Sequence, residues 1–283
     1  MSPAGRRIKP SVLSTPESLF LIAGAGRYPS LLIDGARAAG VRRIVAAAFV
    51  GETLEATAAA ADEVHWMRVG QLGHMLTAAK KSGARQAMMA GQIAPKNLFD
   101  LRPDLKALVI LAKLKRRNAE TLFREIASQL DQAGLELLPA TTFLDAHLAA
   151  AGHIAGPRLK PRNLDDINFG WEIVRATSRL DIGQTVVVKH GTVLAVEAFE
   201  GTNECIRRGG ALGRDGSVMV KTSKPGQDMR FDVPVIGEET IAIAREAKVK
   251  VIGLEAGRTL LLDQPRVCQA ADEAGLTLYG ISP

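Results

Sequence analysis

The sequence predicts two α/β domains, the first built on a parallel sheet and the second on a mixed one. Three observations predict this. From Ser18 to Ala150, short apolar runs alternate with segments of helical spacing, which is the pattern of a parallel sheet. In the second half, His190-Gly191 sits between two apolar runs and reads as a hairpin turn, so part of that sheet is antiparallel. Between the halves lies Gly152 to Pro161 (GHIAGPRLKP), with two Gly, two Pro, one Arg and one Lys. That composition marks a linker over 152–161, between domains at 18–151 and 162–283. A chain of 283 residues is comfortable for two cores.

The elements follow in order. Ser18 to Ala23 is a strand stopped by Gly24-Ala25-Gly26. Pro29 then opens a helix through Leu31, Leu32, Ala36 and Ala39 that ends at Gly40, and Arg42 to Val50 is the next strand. This strand, turn, helix, strand unit is Rossmann-like. Val64 to Val69 and Arg85 to Ala90 read as strands around a helix at Gln71 to Lys81. Helices are expected at Leu105 to Arg117, Glu120 to Ala133 and Thr141 to Ala150, with a short strand at Leu135 to Leu138. Beyond the linker come a helix at Leu164 to Leu180 and strands at Gln184 to Lys189, Thr192 to Phe199, Ser217 to Lys221 and Phe231 to Pro234. A helix at Gly237 to Ala247, strands at Lys250 to Leu254 and Thr259 to Leu262, a helix capped by Asp263, and a strand at Leu276 to Ile281 close the chain.

Composition limits the function classes. The hydrophobic fraction is 47% and the charged fraction 23%, as in ordinary globular proteins. Two cysteines cannot make a disulfide framework, which fits a reducing cytoplasm. No run approaches the roughly 20 apolar residues of a spanning helix, and Met1 to Glu17 reads as a flexible basic lead-in rather than a secretory signal. The net charge of +6 suits anionic partners. Trp and Tyr number two each and are scattered, so a nucleic-acid surface is not expected. Spacings for HExxH, G-x-S-x-G, CxxC and the phosphate-binding P-loop are all missing.

Four constellations could carry chemistry. Gly24-Ala25-Gly26 ends a strand and opens a helix, so free N–H groups could face a phosphate; Pro29 stands where a dinucleotide fingerprint needs a third Gly. The run Lys221 to Pro234 (KTSKPGQDMRFDVP) supplies Lys221, Lys224, Gln227, Asp228, Arg230 and Asp232. A pyrophosphate hydrolase needs cations against developing charge, and carboxylates to hold a metal or take a proton from water. Asp232, between Phe231 and Val233-Pro234, is expected in a strand-like apolar setting where a carboxylate needs a partner or a metal. Glu197, Glu200 and Thr202, with Thr202 as a helix cap, form the third cluster. Glu255-Ala256-Gly257-Arg258 is the fourth, and the last three clusters all fall at strand ends in the second domain.

At these residues the chain resembles the LpxI-type pyrophosphatases of lipid A biosynthesis. The likeness is carried by LIAGAGRYP, RLDIGQTVVVKHGTVLAVEAFEGTNECIRRGG, KTSKPGQDMRFDVPVIG and EAGRTLLLD, and it extends from Leu19 onward. The resemblance implies two α/β domains holding the ligand between them. It implies hydrolysis of UDP-2,3-diacylglucosamine to 2,3-diacylglucosamine 1-phosphate (lipid X) and UMP, with Mg²⁺ or another divalent cation. It also implies a cytoplasmic protein peripheral to the inner face of the cytoplasmic membrane. The family's essential aspartate resembles Asp232 in the R-x-D-x-P stretch, the expected metal ligand, with Asp228 the second catalytic choice. Gly24, Gly26, Lys189, Glu200, Thr202, Lys221, Lys224, Gln227, Arg230, Glu255 and Arg258 are expected substrate contacts, extrapolated from position and charge. A homodimer is expected too. Leu98 to Leu114 and Met88-Met89 are candidates for the acyl-binding surface. Two other classes compete: an oxidoreductase or transferase using the glycine turn, and a nucleotide- or anionic-lipid-binding protein without hydrolase activity.

Overall fold

The computed structural model describes residues 15–93, 103–114 and 119–282. Most of the expected lead-in, part of Leu98 to Leu114 and the end of the helix expected to reach Arg117 lie outside them.

The first half is a five-stranded sheet in the order β3-β2-β1-β4-β5: β1 Ser18–Ala23, β2 Arg43–Phe49, β3 Glu63–Met67, β4 Gln86–Ala90 and β5 Glu136–Leu137. All its pairings are parallel. Around it lie α1 Tyr28–Ala38, α2 Glu55–Ala59, α3 Leu72–Ser82, α4 Leu105–Lys113 and α5 Ala119–Gln132. Strands buried on both faces are near-continuous apolar runs. Accordingly, Leu19, Leu21 and Ile44 pack into one core cluster, and Phe20, Val45 and Ala47 into the other. The strand order reverses between β1 and β4, and ligands of open α/β sheets gather beyond the carboxyl ends at such a point.

The second half is a six-stranded mixed sheet in the order β6-β13-β11-β9-β7-β8. Its strands are β6 Gly152–Ala155, β7 Thr185–Lys189, β8 Thr192–Val196, β9 Ser217–Lys221, β11 Val249–Glu255 and β13 Thr277–Ile281. The β9, β11 and β13 strands run parallel, whereas β7, β8 and β6 pair antiparallel to their neighbours. His190 and Gly191 join β7 to β8 with φ of 50° and 69°, the left-handed pair a two-residue hairpin demands. Four helices cover the sheet: α6 Pro161–Ser178, α7 Thr202–Gly213, α8 Glu238–Glu246 and α9 Gln264–Ala274. A two-residue parallel pair, β10 Val235–Ile236 with β12 Leu260–Leu261, carries second-half chain onto the first core, where Val233, Val235, Leu260 and Leu262 pack.

Several expectations are corrected. Gly152–Ala155, expected as linker, is edge strand β6 beside β13. Pro161 is the first residue of α6 rather than the end of a linker. The helix expected at Thr141 to Ala150 is a single 3₁₀ turn, Asp145–His147, because Phe143 takes φ of 69° and breaks the run. Phe231 to Pro234 is no strand; the N–H groups of Phe231 and Asp232 return to the Asp228 carbonyl at 3.2 and 3.0 Å, closing a turn. Asp263 holds the cap position of α9, but its carboxylate turns to Arg27 at 2.8 Å.

Candidate functional site

The turn at Asp228 to Asp232 lies between the two halves. The Met229 carbonyl accepts the Ala140 N–H at 2.8 Å. The Phe231 ring stacks on Phe123 of α5, centroids 5.7 Å apart, and packs against the first core. Asp232, the next residue, is partly buried. Burial raises its pKa above the ordinary carboxylate value; Gln227, Lys224 and Gln184 oppose that shift, and Glu120 adds to it. The site therefore contains a carboxyl group that holds its proton more readily than an exposed aspartate does.

Lys221 ends β9 and is only 8% exposed. Its Nζ donates to Thr202 Oγ1 at 2.6 Å, and Thr202 Oγ1 donates in turn to Glu197 Oε1 at 2.9 Å. The other Glu197 oxygen accepts the Gln184 N–H at 3.2 Å. An ammonium carries three donors, yet no carboxylate of the described residues makes an ion pair with Lys221; Glu197 and Asp232 act on it only through their charge. Burial lowers its pKa, and the negative charge of Glu197 in particular opposes the shift, as does that of Asp232 when ionised. Thr202 does not cap α7, since Gly201, with φ of 84°, occupies that place. Its hydroxyl is free for Lys221 as a result. Cys205, one turn on, is an apolar filler whose thiol burial pushes up to about 12.

Glu255 ends β11 and is 1% exposed. One of its oxygens accepts both the N–H and the Oγ–H of Ser223 at 2.6 Å, tying the loop after β9 to the neighbouring strand. Arg258 and Arg175 stand 3.6 and 3.9 Å from its other oxygen. Glu255 thus positions the loop rather than presenting a free carboxylate. Arg230 forks onto Asp228 at 2.9 and 2.8 Å, and this contact holds the Asp228 carboxyl below its usual range. Lys224 Nζ meets Asp181 Oδ1, and the Lys224 N–H donates to Gln227 Oε1 at 2.6 Å. Two buried hydroxyls on these loops, Thr222 Oγ1 and Thr259 Oγ1, have no hydrogen-bond partner among the described residues. Buried orphans concentrated on two adjacent loops are what a ligand or water would satisfy.

In the first half, Gly24 and Gly91 let the ends of β1 and β4 cross closely. A Cβ on Gly24 would lie 2.6 Å from the Gln92 carbonyl oxygen, and one on Gly91 2.6 Å from that of Ala25. Gly26 takes φ of 82° and meets nothing. Beyond this crossing opens an apolar cavity of ≈ 140 Å³, walled by Gly24, Phe49, Met89, Ile110, Leu111 and Phe123 among others. Met89 and part of the expected apolar stretch therefore line it, and Phe123 joins it to the Phe231–Asp232 turn.

Two expected contacts fall outside the cluster. Lys189 stands at the far end of β7, because the hairpin reverses the strand and pairs Thr185, not Lys189, with Lys221. Its Nζ binds the Gly213 and Asp215 carbonyls at 2.8 and 2.5 Å, closing the end of α7. Glu200 sits on an outer turn with its carboxylate engaged by Arg208 at 2.5 Å. Glu197 of the third cluster belongs to it, and Gln184 and Ser223, which the sequence reading did not place in the site, complete it. Among the described residues no three His, Cys, Asp or Glu side chains stand together as a metal cage.

Sequence comparison places this geometry among known proteins. A profile described as "LpxI N-terminal domain" matches residues 18–147, and one described as "LpxI C-terminal domain" matches residues 150–279. The chain is also similar to a protein of Caulobacter vibrioides named UDP-2,3-diacylglucosamine pyrophosphatase LpxI. They are 32% identical over 280 residues, covering 94% of this chain and 98% of that one.

Proposed function

The chain belongs to the LpxI family, and from that premise we propose that it hydrolyses the diphosphate of UDP-2,3-diacylglucosamine at the inner face of the cytoplasmic membrane, releasing UMP and lipid X. One observation carries the reading. Phe231 packs against Phe123 in the wall of an apolar cavity, while Asp232 faces the charge of Lys221 and Lys224. A molecule that is greasy at one end and a diphosphate at the other spans that distance. An apolar cavity of about 150 Å³ stays dry and takes a small hydrocarbon, so the one here accepts a section of an acyl chain.

The residues divide the work. Lys221 offers its two unused N–H donors to diphosphate oxygens. Because it is desolvated, its charge acts on them more strongly than a surface lysine's would. Thr202 and Glu197 fix its direction. Lys224 reaches the same oxygens on exchanging Asp181 for substrate, and Arg230 on exchanging Asp228. Asp232 accepts a proton from the attacking water or orients that water toward phosphorus. The donor set fits Mg²⁺, which commonly takes one or two protein carboxylates and completes its shell with phosphate oxygens and water. Asp232 would hold it, and when bound the ion would neutralise charge developing on the diphosphate. Gln184 and Gln227 keep the Asp232 carboxyl oriented for either task.

The test is UMP release from UDP-2,3-diacylglucosamine with Mg²⁺, comparing wild type with Asp232→Ala. Mg²⁺-dependent release that the folded variant loses supports the reaction and the role of Asp232. No release by folded wild type with any of several divalent metals overturns it.

A further inference from the structure

The helix that walls the cavity from inside is apolar outside as well. On α4, Ala107, Ile110 and Leu111 face the cavity. On its other side Leu105, Leu108 and Val109 are 83, 49 and 53% exposed. Three neighbouring aliphatic side chains left in water on one short helix call for an occupant. Lysines stand beside them. Lys106 and Lys113 are exposed on α4 itself, and Lys80 and Lys81 on α3, which packs against it. The carboxylate nearest in sequence is Asp104, which caps α4 and accepts the N–H groups of Ala107 and Gly73 at 2.9 and 2.6 Å.

We infer that the outer face of α4 is the surface on which the protein seats itself on an anionic phospholipid bilayer. The inference rests on the proposed acylated substrate and names the face that meets the membrane. Aliphatic residues ringed by lysines are the make-up of an interfacial helix, with the stems lying in the acyl boundary and the ammonium groups among phosphates. The placement has a purpose. A helix is about 10 Å across, so a chain drawn from the bilayer past α4 reaches the cavity within one helix diameter. A second copy of the protein fits the face poorly, because a two-fold contact sets the patch against itself and brings its lysines together.

The experiment is flotation of the full chain with vesicles of phosphatidylcholine alone, or with about one-quarter phosphatidylglycerol. Wild type is expected on the anionic vesicles, with binding that weakens as salt rises. Leu105→Asp/Val109→Asp should bind roughly tenfold less or worse, and Leu108→Gln serves as a milder variant if the double one melts early. Lys106→Gln/Lys113→Gln should weaken binding to anionic vesicles and flatten the salt dependence. UMP release from substrate in detergent micelles should stay within about twofold of wild type in each, since none of these side chains lines the cavity. Wild type that ignores the vesicles overturns the inference, as do folded α4 variants that bind like wild type or that change only the oligomeric state on a sizing column. Vesicle binding that depends on α4 in a protein releasing no UMP from micelles would sink the hydrolase reading and leave the docking face standing.

Discussion

Lys221→Met separates what the buried ammonium does for stability from what it does for catalysis. Met has a similar length and no charge. Lys221 is 8% exposed, and among the described residues its ammonium has one hydrogen bond, to Thr202 at 2.6 Å. Replacing a buried ion with an apolar side chain of like volume is neutral or stabilising by about 1–4 kcal/mol. Losing the bond to a charged donor costs about 1.5–3 kcal/mol. The two nearly cancel, so the melting temperature should stay within roughly 5 °C of wild type. The balance depends on pH. Burial lowers the folded-state pKa, so the cost of holding the ammonium is least above the unfolded lysine value of about 10.4 and grows as the pH falls. The variant should therefore gain on wild type from pH 10 toward pH 7, about where free lysine is charged and the folded one resists. Catalysis should behave differently. Removing one preorganised donor from a developing charge costs about 10²–10³ in rate, or roughly 3–4 kcal/mol. The assays are thermal melts across that pH range and UMP release at saturating substrate. A variant that melts more than about 8 °C lower, or keeps its rate within tenfold, would refute the reasoning.

Asp232→Asn should reduce UMP release by about 10²-fold or more while raising the melting temperature. The native pKa is raised, so the neutral form is favoured, and that contribution is lost as pH climbs through the folded value. Melts near pH 4 and pH 8 should show the Asn variant gaining at the higher value. Glu255→Ala strips the buried Ser223 N–H of its acceptor and should cost about 3 kcal/mol in denaturant unfolding; an unchanged midpoint would remove its positioning role. Gly24→Ala drives a Cβ to 2.6 Å from the Gln92 carbonyl and should cost about 1–3 kcal/mol. Gly26→Ala meets open space, so only its left-handed backbone opposes it, at about 1 kcal/mol.

The parallel first sheet was legible because its strands are continuous apolar runs and its turns carry Gly or Pro. The hairpin was legible because His190-Gly191 matches the turn chemistry. Glycine and proline misled at Gly152–Ala155, where a four-residue edge strand pairs on one side and has too little pattern to outweigh its composition. Helix α2 escaped notice for its five residues. In the site, Asp232 and the loop cations were visible in one local run, helped by the family likeness. The Lys221–Thr202–Glu197 chain was not, since it joins the ends of β8 and β9 and the start of α7, and no spacing along the sequence reveals it. Lys189 shows the converse: a cation at a strand end looks promising until the direction of the strand is known. Arg230 and Asp228 were expected as separate tools, and their two-residue spacing lets them hold each other instead.

Phe231 and Asp232 are bonded neighbours that serve different masters. The ring belongs to the packing of the first domain, and the carboxylate to the polar cluster of the second. Consecutive Cα atoms are about 3.8 Å apart, so a sideways shift of the ring is passed to the carboxylate almost undiminished. Turnover therefore reports on the packing of the remote domain. Substitutions at Phe123 and Ile126 that leave the fold intact would therefore act twice, once on the wall of the cavity and once on the seat of Asp232.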